Sequence, residues 1–236
     1  MRSYLIAKNI LKCLVLVLLT LGCAPVAQNL TQGQVQDTDA KPPYWDTVQR
    51  FKREDADRTP PENAILFIGS SSFTNWHNAQ QMFPEYTIVN RGFGGSQLPD
   101  INLYLREVGY PPKVKQIIIY SGDNDIASGK EPEEVLQRFI SVFSQIRKDK
   151  PKLPVAFISI KVCPGRIHSR AKVEEANRLV KDFLAEQKRT EFVDIVTPTT
   201  NDSGTPLAGI YVEDGVHLNQ KGYDIWAAAL KPHLMK

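Results

Sequence analysis

The sequence predicts an α/β domain: a mainly five-stranded parallel sheet, doubly wound, with helices on both faces in three layers. Two observations lead to this fold class. Short apolar runs rich in β-branched residues alternate along the chain with longer segments of helical periodicity. The runs are apolar throughout, which is typical of strands buried on both faces of a parallel sheet. The expected strands are 64–68, 86–89, 116–120, 155–160 and 192–196.

Helical periodicity predicts the elements that cover this sheet. Residues 133–148 have an apolar face and follow Pro132, a residue favoured in the first turn of a helix. Residues 171–188 show the same pattern, and 220–230 follow Asn219, whose side chain can cap a helix. Because right-handed crossovers connect parallel strands, we expect these helices on both faces of the sheet.

Residues 1–23 predict a secretory signal peptide, since a basic start is followed by the apolar stretch CLVLVLLTLG and by small residues. The apolar run 13–21 is too short for a transmembrane anchor, which needs about 20 apolar residues. The letters TLGCA resemble a bacterial lipobox, which makes Cys23 the lipidation candidate; ordinary cleavage near Ala24 or Ala27 is the alternative. We expect an exported protein, lipid-anchored in the bacterial cell envelope or otherwise periplasmic or secreted.

The next segment, 24–41, is polar, Gln-rich and without apolar periodicity, so we expect a flexible tether. Residues 42–236 would then form the folded domain. Its first segment, 42–61, is expected to pack a short helix on that domain, because three apolar residues have helical spacing: Trp45, Val48 and Phe51.

The charge balance gives no support to a nucleic-acid partner. The chain has 29 Lys and Arg against 26 Asp and Glu, and Arg2, Lys8 and Lys12 lie in the expected signal peptide. The processed chain would hold 26 basic and 26 acidic residues, without the basic excess typical of nucleic-acid binding. We expect membrane contact only through the N-terminal lipid anchor.

Metal and thiol chemistry also lack support in the sequence. With Cys23 lipidated, Cys163 is the one remaining thiol, which excludes an intrachain disulfide; beside Pro164 it suits a small space-filling residue. The histidines lack H-x-x-x-H spacing and no C-x-x-C is present. We therefore expect no metal and no cofactor.

Four polar or glycine-rich blocks stand where a site would be built. GSSS follows the first strand, NRGFGGSQLPD the second and SGDNDIASGK the third, and DGVHLN precedes the last helix. In parallel α/β sheets the ligand site lies beyond the carboxyl ends of the strands. Each block alone has a structural explanation, because serines and Asx residues cap helices and glycines form turns.

Together the blocks supply the groups that an ester hydrolase needs. A serine offers the nucleophilic hydroxyl, and His217 can accept its proton because imidazole exchanges protons near neutral pH. Asp214, three residues earlier, can bind the other ring nitrogen. Asn124 offers a neutral N–H, and a glycine loop exposes backbone N–H groups. The other histidines lack a carboxylate at this spacing: His77, His168 and His233.

In this order the blocks resemble those of the SGNH hydrolases, also called GDSL-type esterases and lipases. GSS stands for the family's GDS and puts Ser71 at the nucleophile. NRGFGG matches N-x-G-x-G-G, with Gly95 at the oxyanion position, and GDND matches G-x-N-D, with Asn124 at the asparagine. DGVHLN matches D-x-x-H, with Asp214 and His217.

The resemblance covers about residues 64–234. The stretch ISIKVCPGR and the residues that flank it are similar to a bacterial branch of the family related to platelet-activating-factor acetylhydrolase-like proteins. It departs from the family in one place: Ser70 stands where the family has an aspartate outside the triad. We expect Ser70 to end the first strand and Ser72 to begin the following helix.

The resemblance implies a flavodoxin-like SGNH hydrolase fold and a serine esterase that needs no cofactor. Ser71, His217 and Asp214 would form the catalytic triad, and Ser71, Gly95 and Asn124 the oxyanion hole. The substrates would be carboxylic esters, with short acyl or acetyl groups on a small molecule or a glycan, cleaved through an acyl-enzyme. A carbohydrate O-deacetylase with the same machinery and a non-catalytic binding module on this scaffold stay open, as does the oligomeric state.

Overall fold

The structure, a computed structural model, describes residues 41–236. The expected signal peptide, the lipidation candidate Cys23 and tether residues 24–40 lie outside the described residues and stay predictions. Within residues 41–236, none of the helices is long and apolar enough to cross a membrane.

Five parallel strands form one sheet in the order β2-β1-β3-β4-β5, so the chain starts inside the sheet and adds strands on both sides. All neighbouring pairs are parallel. The prediction of a doubly wound α/β fold is confirmed. The strands are β1 Ile65–Gly69, β2 Ile88–Gly92, β3 Gln116–Tyr120, β4 Val155–Ile158 and β5 Thr190–Val193.

Helices connect the strands and cover both faces of the sheet. They are α1 Trp45–Asp57, α2 Ser71–Thr74, α3 Ala79–Met82, α4 Leu98–Tyr104, α5 Asp123–Ala127, α6 Pro132–Asp149, α7 Arg170–Ala185, α8 Val196–Thr199 and α9 Gln220–Leu230. Two 3₁₀ turns cover Pro164–Ser169 and Lys231–His233. Helix α9 has its expected bounds, and Asn219 caps it by accepting the N–H of Gly222 at 3.3 Å.

Two apolar cores lie on opposite faces of the sheet, because successive strand residues point to opposite sides. Leu66 and Ile68 belong to the core that includes α1, α4, α6 and α7. Ile65 and Phe67 belong to the core that includes α2, α3 and α9. This double burial explains why the strands are apolar throughout. Because all the strands are parallel, their carboxyl ends, and the blocks that follow them, lie at the same end of the sheet.

The second strand differs from its expected bounds, since β2 runs to Gly92 whereas the apolar pattern ended at 89. The added residues pair in register with β1: Asn90 lies opposite Phe67, and Gly92 lies opposite Gly69. Parallel pairing uses only the backbone, so a strand continues through polar residues that an apolar pattern does not detect.

The fifth strand also differs, because β5 ends at Val193 rather than 196. The Asp194 side chain accepts the backbone N–H groups of Val196 and Thr197, at 2.9 and 3.1 Å. Such capping turns the chain into the short helix α8. A local side-chain bond therefore overrides the strand propensity of this apolar segment.

Candidate active site

Ser71 opens helix α2 two residues after the last residue of β1, a strand with a neighbour on each side. The strand ends at Gly69, one residue after the expected apolar run 64–68, and Ser70 is the N-cap residue of α2. Ser70 therefore does not end the strand, and the helix begins at Ser71 rather than at Ser72. The reason is that the Ser70 carbonyl accepts the N–H groups of Phe73 and Thr74, at 3.0 and 3.2 Å, which closes the first helical turn around Ser71. The Ser71 N–H thus lies where a helix offers no internal acceptor.

A continuous chain of hydrogen bonds joins Ser71, His217 and Asp214. The Ser71 hydroxyl oxygen lies 2.9 Å from Nε2 of His217, and Nδ1 of the same ring lies 2.5 Å from Oδ2 of Asp214. The histidine comes 146 residues after the serine, in the turn before α9. The three residues selected from the sequence are therefore in contact in the order hydroxyl, imidazole, carboxylate.

The turn that carries Asp214 holds its carboxylate in the ionised form. Oδ1 accepts the backbone N–H groups of His217 and Val216, at 2.9 and 2.8 Å. The backbone and ring bonds from His217, with the bond from Val216, lower the pKa of Asp214 to about 2. An ionised Asp214 accepts the Nδ1–H of the imidazole, which leaves Nε2 free to accept the Ser71 proton.

The glycine block lies against Ser71. A Cβ on Gly94 would lie 3.8 Å from the Ser71 Cβ. Gly95 has φ 82°, a left-handed conformation that favours glycine. The carbonyl oxygen of Ser96 accepts a bond from Nδ2 of Asn124 at 3.0 Å. Gly95 is thus flanked by one residue against the nucleophile and one bound to Asn124, so the glycine block links Ser71 to Asn124.

These residues carry hydrogen-bond donors that are unpaired within the described part of the chain. Within residues 41–236, the backbone N–H groups of Ser71 and Gly95 have no acceptor. Nδ2 of Asn124 uses one of its two hydrogens for Ser96 and keeps the other. Donors that are already oriented and unpaired can stabilise an oxyanion without first breaking another bond.

A buried ion pair lies beneath this arrangement. Nζ of Lys161 lies 2.6 Å from Oδ2 of Asp123, 2.9 Å from the Tyr120 hydroxyl and 3.4 Å from the Ser72 hydroxyl. Lys161 and Asp123 are only 2% and 4% exposed. Burial opposes both charges, yet the ammonium lowers the pKa of Asp123 and the carboxylate raises the pKa of Lys161. The pair is therefore charged at neutral pH.

Arg166 approaches Asn124 from the 3₁₀ turn that follows β4. Its two terminal nitrogens each donate to Oδ1 of Asn124 at 3.1 Å, and one of them also donates to the Asp123 carbonyl at 3.1 Å. Reasoning from the sequence found neither Arg166 nor Lys161. The signal for Lys161 was its charge within the apolar run ISIKVC, since a buried lysine needs a partner.

Other groups weighed from the sequence lie outside the triad. His77 and His168 are exposed, and Nδ1 of His233 bonds Glu191 at 2.5 Å. Cys163 is buried, and burial raises the pKa of its thiol, which disfavours the reactive thiolate. Within the described part of the chain, no cluster of His, Cys, Asp and Glu could hold a metal ion.

Residues 44–225 match the sequence profile of the GDSL-like lipase/acylhydrolase family. The match covers most of the chain, so the protein belongs to this family and is a hydrolase that acts on ester bonds. The family predicted from the four blocks is thereby confirmed. A comparison with curated protein sequences gave no match.

Solved structures with a similar fold agree with this membership. A protein from Streptococcus pneumonia, provisionally described as a platelet activating factor, is 26% identical with a TM-score of 0.72, over 80% of this chain and 92% of that one. A GDSL-like lipase from Bacteroides thetaiotaomicron is 20% identical with a TM-score of 0.65, over 79% and 96%. A carbohydrate esterase family 3 protein from Talaromyces cellulolyticus is 15% identical with a TM-score of 0.56, over 72% and 95%. The last two likenesses concern the fold alone.

Proposed function

We propose that the protein is a serine esterase that cleaves carboxylic esters with short acyl groups, such as acetyl, through an acyl-enzyme. The observation that carries the proposal is the hydrogen-bonded chain from the Ser71 hydroxyl through His217 to Asp214. The 2.9 Å between the Ser71 oxygen and Nε2 of His217 is within the hydrogen-bond range in which a base can take the proton. The bond to Asp214 orients the ring and does not take its proton. The same hydrogen bonds argue against a non-catalytic binding module, because binding alone does not require an aligned triad.

The reaction follows from the roles of these groups. The Ser71 oxygen attacks the ester carbonyl carbon while its proton passes to Nε2 of His217. The carbonyl oxygen becomes an oxyanion bound by N–H groups of Ser71, Gly95 and Asn124. The imidazolium then returns the proton to the leaving alcohol, and the acyl-enzyme remains. Water attacks it with His217 as base, releasing the acid and restoring the Ser71 hydroxyl.

The position of Tyr44 supports the proposal that the acyl group of the substrate is short. Its ring packs edge-on against Phe93, with the centroids 5.5 Å apart. Its hydroxyl lies 3.5 Å from the position that a Cβ on Gly95 would take. The ring therefore fills space beside the glycine that is to bind the oxyanion, which favours a small acyl group.

A carbohydrate O-deacetylase is the second candidate, and the exposure of the base supports it. The side chains of His217 and Asp214 are 29% and 47% exposed. In the proposed mechanism His217 protonates the leaving alcohol, so that side of the ester opens to solvent and could admit a polymer. The carbohydrate esterase from Talaromyces cellulolyticus has the same fold, which is compatible with this candidate.

Hydrolysis of p-nitrophenyl acetate and butyrate by residues 24–236, beside Ser71→Ala, tests the proposal. We expect the wild-type activity to be lost in the variant. Activity that persists in Ser71→Ala would refute the serine mechanism. Release of acetate from O-acetylated xylan oligosaccharides, at a higher kcat/KM than from p-nitrophenyl acetate, would select the deacetylase.

We also propose that the protein is exported and held in the bacterial cell envelope by a lipid on Cys23. The support is the basic, apolar and small-residue order of residues 1–23. Expression in a bacterium with radiolabelled palmitate tests it. We expect label in the wild-type protein and none in Cys23→Ser; a labelled variant, or an unlabelled wild type, would contradict lipidation at Cys23.

A further inference from the structure

The orientation of the Asn124 amide is fixed by its two neighbours. A guanidinium can only donate hydrogen bonds, and Arg166 approaches one end of the amide with two nitrogens at 3.1 Å. A carbonyl oxygen can only accept, and that of Ser96 lies 3.0 Å from the other end. The amide oxygen must therefore face Arg166, and the amide nitrogen must face the glycine block.

Arg166 is itself held in place by charge and by the backbone. Its Nη1 lies 3.6 Å from Oδ2 of Asp123, the carboxylate that also binds Lys161. The residue before it, Gly165, donates its N–H to the carbonyl oxygen of Gly215 at 2.8 Å. The Arg166 side chain is 27% exposed, so it lies at the rim of the site rather than in the core.

We propose that Arg166 is a positioning residue for the esterase reaction: it orients the Asn124 amide and polarises it as an oxyanion donor. This inference rests on the proposed function. A cation bound to the amide oxygen draws electron density from the amide nitrogen, which strengthens the hydrogen bond that the remaining N–H can donate. Without the guanidinium, the amide can rotate and present its oxygen to the oxyanion.

Steady-state kinetics with p-nitrophenyl acetate test the proposal in Arg166→Met, Arg166→Lys, Asn124→Ala and the double variant Arg166→Met/Asn124→Ala. The matched control is Arg178→Met, which removes an arginine paired with Glu175 and Asp182 on the exposed side of α7. Circular dichroism and the thermal midpoint of each variant establish that it is folded.

Arg166→Met should lower kcat by roughly tenfold and change KM by less than about twofold, because the lost interaction acts mainly in the transition state. Arg166→Lys should recover part of kcat, since it keeps the charge but not the paired donors. Asn124→Ala should lose roughly 10²-fold, the usual cost of one oxyanion donor. The double variant should be no slower than Asn124→Ala alone, because Arg166 acts through Asn124.

Two results would overturn the proposal. One is an unchanged kcat in Arg166→Met; the other is that Arg166→Met lowers kcat by the same factor in Asn124→Ala as in the wild type. If Arg166→Met does not fold, the kcat loss caused by Arg166→Lys is compared between the wild type and Asn124→Ala, and the same two results would overturn the proposal. Ser71→Ala separates this inference from the proposed function. Activity that survives in Ser71→Ala refutes the esterase mechanism, whereas a dead Ser71→Ala with additive Arg166 effects refutes only the positioning role.

Discussion

The backbone N–H of Gly165 donates to the carbonyl oxygen of Gly215 at 2.8 Å. This bond ties the turn that carries Arg166 to the turn that carries Asp214 and His217. The approach is close, since a Cβ on Gly165 would lie 2.6 Å from the Asp214 carbonyl oxygen. The oxyanion side and the base side of the site are therefore held together by main-chain contact.

Gly165→Ala should separate these two turns and lower kcat by roughly tenfold or more, because small misplacements at a reacting centre are costly. Kinetics with p-nitrophenyl acetate measure the effect. Gly109→Ala is the control: its φ of 74° makes alanine strained, yet the nearest atom to its Cβ is 3.9 Å away. The control should lose stability and keep kcat; equal kcat values in the two variants would contradict the coupling of the turns.

Ser70→Asp, which restores the family's residue, should destabilise this protein. The Ser70 hydroxyl lies 3.5 Å from Oδ1 of Asp123, and both residues are buried. Two buried carboxylates would then lie side by side, near the single ammonium of Lys161. Because of their repulsion and burial, we expect the free energy of unfolding to fall by about 3 kcal/mol. Urea unfolding at pH 7 measures this.

The double variant Ser70→Asp/Asp123→Asn should regain much of that loss, since one carboxylate again faces Lys161. If Ser70→Asp were as stable as the wild type, the buried carboxylate at position 123 would not explain the departure from the family pattern.

Asp214→Asn should lower kcat by roughly 10²- to 10⁴-fold and leave KM nearly unchanged. An amide can donate to Nδ1 of His217, which would favour the tautomer whose Nε2 carries a proton and cannot accept the one from Ser71. Asp224→Asn, a change at an exposed carboxylate on α9, is the control and should keep full activity. A comparable loss in both variants would argue against an orienting role for Asp214.

Acid should destabilise the fold partly through Asp214. Hydrogen bonds from His217 and Val216 lower the folded-state pKa of this carboxyl to about 2, against 3.8. The unfolded chain therefore binds the proton first as the pH falls. The contribution is complete above about pH 4 and is lost as the pH falls through about 2. As the pH falls from 5 to 2, the free energy of unfolding, measured with urea, should fall less in Asp214→Asn than in the wild type. Equal decreases would contradict the lowered pKa.

Tyr44→Ala should change acyl-length preference. Removing the ring beside Gly95 opens space next to the expected carbonyl position, so kcat/KM for p-nitrophenyl butyrate should rise relative to acetate. Tyr44→Phe keeps the ring and should keep the wild-type ratio. If both substitutions left the ratio unchanged, Tyr44 would not limit the acyl group.

The sequence predicted the features that depend on local pattern. Strand β3 has its expected bounds because its apolar run is buried throughout. The four blocks were selected because they follow strands or precede the last helix, and the resemblance to the SGNH hydrolases chose Ser71 and Gly95 within them. The carboxyl ends of parallel strands share one edge, so residues distant in sequence could be brought together by topology alone.

Features that depend on long-range contacts could not be predicted from the sequence. Nothing in the spacing of Lys161 and Asp123 indicates that they pair, since 38 residues separate them. Arg166 lies in a polar turn, and its bond to Asn124 depends on how that turn packs against the turn of Asp214. The bounds of β2 and β5 were missed because backbone pairing and the Asp194 cap decide them rather than apolar periodicity.

Covalent trapping tests the central claim most directly. Diethyl p-nitrophenyl phosphate phosphorylates a serine that a histidine base activates, releasing p-nitrophenol. Intact-mass and peptide mass spectrometry should find one diethylphosphoryl group on Ser71, with loss of esterase activity in the same proportion, and none in Ser71→Ala or at Ser70 or Ser72. An adduct on another residue, or full esterase activity without an adduct on Ser71, would contradict Ser71 as the nucleophile.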